Sequence, residues 1–201
     1  MKVQMINKAE ELERTSPFYV DKLLWGTKKC PKTYGYLGFV KGDGLYLRMI
    51  CEEHDPYRTY TNANDPVYLD STVEAFLMLH PQKEEKQGIY LNFEINANGA
   101  MLAAYGKNRT DRTFIPDEIR KDIECKADIH EDFWTVELKI PVYTLEQIYG
   151  SLTLESGSEF HCNFYKISET KEIEHFASYA MIESETPNFH LPEFFEAAVL
   201  E

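Results

Sequence analysis

The stretch Asn64-Asp65-Pro66-Val67-Tyr68-Leu69-Asp70-Ser71-Thr72-Val73-Glu74-Ala75-Phe76-Leu77-Met78-Leu79 decides how the rest of the chain is read. Pro66 and the Asn-Asp pair before it mark a loop. From Thr72 the residues then alternate at the period of two that belongs to a β-strand. Val73, Ala75, Leu77 and Leu79 share one face, and Thr72, Glu74, Phe76 and Met78 share the other. Glu74 therefore points away from the aliphatic face. Tyr68 and three acids, Asp65, Asp70 and Glu74, gather at the mouth of this strand, a combination suited to a polar, ring-shaped ligand.

Three further segments repeat the alternation. In 88–96, Ile89, Leu91, Phe93 and Ile95 face one way and Tyr90, Asn92, Glu94 and Asn96 the other. In 158–166, Phe160, Cys162 and Phe164 turn inward and His161, Asn163 and Tyr165 outward. In 44–51, Leu45, Leu47, Met49 and Cys51 turn inward, with Tyr46 and Arg48 outward. One face is expected to be core and the other wet. An antiparallel sheet commonly has one solvated side, which needs no ligand to explain it. The residue types argue for more than solvation, because a solvated face favours Lys, Glu and Thr. Tyr46, Arg48, Glu74, Tyr90, Asn92, Glu94, Asn163 and Tyr165 instead supply the donors and acceptors that read sugar hydroxyls and the rings that cover the C–H face of a pyranose.

With 201 residues and 43% hydrophobic content, the chain can bury a substantial core and fits one domain, 1–201. Turn-forming Lys41-Gly-Asp-Gly44, Asn98-Gly99 and Ser156-Gly157 punctuate short runs rich in Tyr, Phe, Val and Ile, which is how an all-β protein reads. Additional strands are expected at 3–6, 34–40, 101–105, 121–127, 133–140, 175–182 and 194–200. Trp134 alternates with Val136, Leu138 and Ile140 as core. Thr144-Leu-Glu-Gln-Ile-Tyr149 is expected to form one short helix stopped by Gly150.

A formal charge of −13 argues against nucleic acid or an anionic membrane as partner, since both call for clustered Lys and Arg. Asp43, Asp55, Asp65 and Asp70 lie near loops and leave room for a structural calcium ion, although no EF-hand spacing occurs. No apolar run approaches the roughly 20 residues of a membrane span, and the amino terminus lacks the apolar stretch of a secretion signal. The chain therefore reads as cytoplasmic. Cys30, Cys51, Cys125 and Cys162 are widely spaced without a C-x-x-C pair and are expected to be free, largely buried thiols. Asn108-Arg-Thr110 matches a glycosylation sequon, which has no consequence without export. Oligomeric state leaves no mark on the sequence.

Taken together, Asp65-Pro-Val-Tyr-Leu-Asp-Ser-Thr-Val-Glu74, Tyr90-Leu-Asn-Phe-Glu-Ile-Asn96, Trp134-Thr-Val-Glu-Leu-Lys-Ile-Pro141, Asn163-Phe-Tyr-Lys166 and Asn188-Phe-His-Leu-Pro-Glu-Phe-Phe195 make the chain resemble the family 9 carbohydrate-binding modules, in particular the stand-alone family-9-like bacterial proteins. The resemblance covers most of the chain. It implies an antiparallel β-sandwich, jelly-roll or immunoglobulin-like and related to the DOMON-like group. A sugar end would be held between two aromatic rings over acid and amide side chains. The family's two tryptophans fall on Tyr68 and on Phe189 or His190, so both platforms are aromatic and neither is Trp. The acid and amide positions fall on Glu74, Asn92 and Glu94. The resemblance also implies structural calcium in some members.

Three functions follow as expectations. The first is non-catalytic binding of a mono- or oligosaccharide, with Tyr68 and Phe189 as platforms and Tyr46, Arg48, Glu74, Asn92, Glu94, Asn163, Tyr165 and His190 around them. The second is a glycosidase built on Glu74 and Glu94, whose carboxyl spacing would be about 5 Å for retention or roughly 6.5–9.5 Å for inversion. The third is a haem-binding domain of the DOMON-like kind. That would need a Met or His pair facing a pocket, whereas Met49 reads as core and His161 and His175 read as isolated. Nucleophile-elbow, Walker and dinucleotide-binding signatures do not occur.

Overall fold

The computed structural model describes residues 1–80 and 86–201. Fourteen strands are formed among them: β1 (Lys2–Ile6), β2 (Phe18–Val20), β3 (Lys22–Leu23), β4 (Lys32–Val40), β5 (Gly44–Glu52), β6 (Thr72–Leu79), β7 (Tyr90–Asn96), β8 (Met101–Gly106), β9 (Arg112–Phe114), β10 (Glu124–Ile129), β11 (Trp134–Pro141), β12 (Glu159–Ser168), β13 (His175–Ser178) and β14 (Glu196–Leu200). Two helices, α1 (Asp117–Arg120) and α2 (Val142–Tyr149), accompany them. The expected helix is thus present as α2. It ends where Gly150 adopts φ 80°, a conformation open to a residue without Cβ. The one-turn helix α1 and the strands β2, β3 and β9 are additions to the expected set.

The strands run in the order β10-β11-β5-β4-β1-β14-β12-β6-β7-β8-β9. β1 joins the two halves of this order. Lys2 and Val3 pair in parallel with β14, and Gln4 to Ile6 pair in parallel with β4. The sheet is therefore mixed and curled, which corrects the expectation of a purely antiparallel jelly-roll or immunoglobulin-like sandwich. A five-residue strand that splits its hydrogen bonds between two partners cannot be read from its own periodicity.

Curling brings the inward faces of both halves together. Leu37, Leu47, Val136 and Trp134 from one half share a core with Val73, Leu77, Phe93 and Phe164 from the other. Phe18 stacks on Phe164 at 3.9 Å between ring centroids. Cys51 and Cys162 are buried, Cys30 and Cys125 half-buried, and all four are free thiols.

The outward face of β6, β7 and β12 is not wet, contrary to expectation. Tyr90, Asn92, Asn163 and Tyr165 are wholly buried beneath a second apolar cluster, in which Phe76, Tyr90 and Tyr165 meet Leu24, Ile182, Phe189 and Phe195. The connection from β13 to β14 folds back over the sheet and is held there by the very polar side chains expected to face solvent. Asn163 accepts from Ala180 N at 2.9 Å and donates to Ala180 O and Phe194 O, so it grips both ends of the connection. The Tyr165 hydroxyl donates to Phe189 O, and the Tyr90 hydroxyl is hydrogen-bonded to His190 Nδ1 at 2.9 Å. Buried polar groups need such partners, and here the covering segment supplies them from its backbone and from the His190 ring.

Candidate binding cleft

Beside the covering segment, where β6 and β7 carry Glu74 and Glu94, a cleft of 350 Å³ opens. Its floor is Glu74 and Glu94, which stand directly opposite one another across the β6–β7 ladder. Tyr68 forms one wall. It sits on a 3-10 turn, Val67–Leu69, that follows Pro66. That turn is anchored by Asp70, whose carboxylate accepts from Thr59 N, Thr59 Oγ1, Tyr60 N and Asn96 Nδ2. Glu169 N donates to Tyr68 O at 2.9 Å, tying the turn to the end of β12.

Trp25, Phe176, Phe189 and His190 supply further wall. Phe189 is only 5% exposed, and one ring face is covered by Tyr165, stacked at 4.1 Å. Phe189 thus belongs as much to the packing as to the cavity. Trp25 is the half-buried ring beside it, 5.4 Å away between centroids. Its backbone is left-handed, φ 47°, a conformation disfavoured for a bulky residue and held here by Trp25 Nε1 donating to Ser184 O at 3.0 Å. Sequence reasoning passed over Trp25. The available signal was a tryptophan outside any alternating run, followed by Gly26.

The hairpin between β8 and β9 brings Arg109, Thr110 and Arg112 to the rim. Asn108 Oδ1 shapes the turn by accepting from Thr110 N and Asp111 N. The Arg112 guanidinium lies 3.4 Å from Glu94 Oε1, and Asn92 Nδ2 donates to the same oxygen at 3.0 Å. Asn92 Oδ1 has no partner among the described residues. Arg109 and Arg112 also went unread, because a three-residue strand carries no period.

The floor is electrostatically unusual. Glu74 is 3% exposed and makes no hydrogen bond among the described residues. Burial and then the neighbouring Glu94 push its carboxyl well above the ordinary value, with Arg112 as the main opposing influence. Burial likewise pushes Glu94 up to about 7, against the pull of Arg112. A buried carboxyl avoids an uncompensated charge by keeping its proton, so this pair can present both donors and acceptors to hydroxyl groups. His190 is held neutral, at about 3, by burial and by the two arginines.

Of the residues expected at the site, Tyr68, Glu74, Glu94, Phe189 and His190 meet in this cleft, and Asn92 lies behind Glu94. Asn163 and Tyr165 serve the covering segment instead. Tyr46 and Arg48 are in neither place. They lie on the other half of the sheet, in a larger groove of 920 Å³. Arg48 pairs with Glu13 and Glu137, and Lys139 with Asp43 and Glu124. With Arg48 and Lys139 already paired from within, those two cations offer less to a ligand than the floor of the smaller cleft. His161 is not isolated either, being hydrogen-bonded to His80 at 2.8 Å, and His175 Nε2 meets Lys166 Nζ at 2.9 Å. Asp43, Asp55, Asp65 and Asp70 are each bound to protein donors, and among the described residues no three His, Cys, Asp or Glu side chains converge on a metal-sized site.

Comparison with known proteins follows the same line. A carbohydrate-binding family 9 model matches residues 5–200. A search of the curated proteins finds no match. Among solved structures, a "putative carbohydrate-binding protein" from Bacteroides uniformis superposes with a TM-score of 0.85 at 22% identity, covering 100% of this chain and 98% of the other. A carbohydrate-binding module of family 9 from Caldicellulosiruptor kristjanssonii in complex with glucose gives 0.67 at 14% identity, with 100% and 95% covered. The same organism's family 9 module in complex with cellotriose gives 0.65 at 15% identity, with 100% and 93% covered. Those likenesses are of fold, and the family match spans nearly the whole chain: the protein belongs to carbohydrate-binding family 9.

Proposed function

We propose that the chain binds a saccharide, without transforming it, in the cleft between Tyr68 and Trp25 over the Glu74–Glu94 pair. One observation carries this reading. A carboxyl only 3% exposed, without a hydrogen-bond partner among the described residues, opens into a cavity walled by aromatic rings. Leaving such a group unsatisfied costs roughly 1–3 kcal/mol, which a hydroxyl-rich ligand would recover. Rings beside polar groups suit a pyranose, which has an apolar C–H face and a polar edge. Support also comes from the solved family 9 modules that hold glucose and cellotriose.

Membership of a family of carbohydrate-binding modules favours binding over hydrolysis. The two carboxyls of a glycosidase flank the scissile bond so that one attacks or activates water while the other protonates the leaving group. Glu74 and Glu94 are cross-strand neighbours on one face, and burial raises both carboxyls, so neither is held ionised as a nucleophile would be. For haem, His190 Nδ1 is taken by Tyr90 and Met49 is buried in the core.

Isothermal titration of the purified protein with glucose, xylose, cellobiose and xylo-oligomers tests the proposal. Heat of binding with at least one of them, lost in Glu74→Ala, is the expected result. Silence with all of them would refute it.

A further inference from the structure

At the far end of β6, about 20 Å along the strand from Glu74, the outward face carries a second group of side chains with chemistry of their own. In the β6–β12 ladder Met78 pairs with His161 and Leu79 with Phe160. One step further in the same register, His80 stands across from Glu159. Successive side chains alternate between the faces of a sheet, so Met78, His80, Glu159 and His161 make a two-by-two block on one face. Direct cross-strand neighbours have Cβ atoms about 5 Å apart and diagonal ones roughly 7 Å, within reach of long or ring side chains. The two imidazoles span the diagonal: His80 Nε2 and His161 Nδ1 meet at 2.8 Å, with the ring planes at 88°.

These facing nitrogens share one proton. A neutral imidazole has one N–H and one lone pair, so one ring donates and the other accepts. Such a pair can exist for its hydrogen bond alone, but three features point further. His80 is exposed and His161 half-buried, so an ion in solution can reach the nitrogens. Burial and the neighbouring His161 hold the His80 ring below its ordinary value, which favours the neutral form that a metal requires. Glu159 is exposed, acts on the His80 ring, and makes no hydrogen bond or ion pair of its own among the described residues.

We propose that His80 and His161 bind a zinc ion in place of the proton they share, with Glu159 as third ligand and water in the fourth position. Two imidazoles and one carboxylate are a zinc-type ligand set, whereas calcium and magnesium call for oxygen alone. The three side chains do not converge as they stand, and the adjustment needed is small. Tetrahedral zinc, bonded at about 2.0–2.1 Å, sets two nitrogens roughly 3.3 Å apart, so the rings must part by about half an ångström. His80 lies just past the last residue of β6 and has room to do so. Glu159 needs only another rotamer, which its exposure leaves open. The site stands apart from the saccharide cleft and does not depend on it.

Calorimetric titration of the full chain with zinc chloride tests the proposal. Wild type should bind one zinc ion per chain. His80→Ala and His161→Ala should each weaken binding by at least about tenfold, since loss of a mere outer-shell partner already costs about 10–100-fold, and Glu159→Gln should weaken it by several fold. Zinc should also raise the urea midpoint of wild type and leave that of His80→Ala in place, with the same far-UV circular dichroism spectrum in both proteins. Absence of zinc binding by wild type would overturn the site. Undiminished affinity in both histidine variants would overturn it too, by placing the ion elsewhere. Affinity unaltered in Glu159→Gln alone would strike the carboxylate from the ligand set.

Discussion

Replacing Glu94 by Gln should make the protein lose less stability than wild type as pH rises from 5 to 8. A carboxyl ordinarily gains from folding by being ionised; here the order is inverted. The Glu94 carboxyl has a folded value of about 7 against an ordinary 4.5, so the native state holds its proton longer than the unfolded chain does. Where the native state binds more protons, stability falls with rising pH. Its contribution is intact below about pH 4.5, declines through the interval to 7 and is flat above it. Each pH unit within the interval is worth about 1.4 kcal/mol, so from pH 5 to pH 8 the wild type should lose roughly 2–3 kcal/mol that Glu94→Gln does not. The lost contact with Arg112 lowers the variant's stability at both pH values and leaves the difference between them. Urea unfolding followed by the fluorescence of Trp25 and Trp134, at pH 5 and pH 8, reads that difference. A gap between variant and wild type that is the same at both pH values would refute the account of a proton-holding floor.

Three other changes separate parts of the account. Trp25→Ala should weaken saccharide binding about tenfold in calorimetric titration with an unchanged circular dichroism spectrum, because Trp25 is the open ring of the cleft. Arg48→Ala should leave saccharide affinity as it is in the same titration, since Arg48 is occupied by Glu13 and Glu137 on the other half of the sheet. Lys166→Met should cost about 3 kcal/mol in urea unfolding. Lys166 is wholly buried and donates to Ser71 Oγ and Ile167 O, with Glu53 at 3.9 Å, so removing it leaves the Glu53 carboxylate without its nearest cation.

What the sequence made legible is what period two encodes. Thr72–Leu79 alternates without interruption and is a strand with those bounds. The same signal located β4, β5, β7, β11 and β12 within a residue or two. Three kinds of feature lay outside it. Strands of two or three residues, such as β3 and β9, are too short to show a period, and Arg112 went with them. Long-range pairing, such as β1 bonded to both β4 and β14, depends on residues 34 positions apart in the one case and almost two hundred in the other. Last, an alternating strand shows which residues share a face and is silent on what covers it. Tyr90, Asn163 and Tyr165 therefore read as ligand-facing when they grip the β13–β14 connection. Glu74 and Glu94 carry the same signature, yet they line a cleft beside Pro187 to His190 of that connection and make no hydrogen bond to it.

The central claim is that a saccharide sits over Glu74, and a crystal of the protein soaked with cellobiose tests it most directly. The account predicts a sugar ring beside Tyr68 and Trp25 with a hydroxyl within hydrogen-bond distance of the Glu74 carboxyl. A sugar found in the groove of Tyr46 and Arg48, with the Glu74 cleft holding only water, would contradict it.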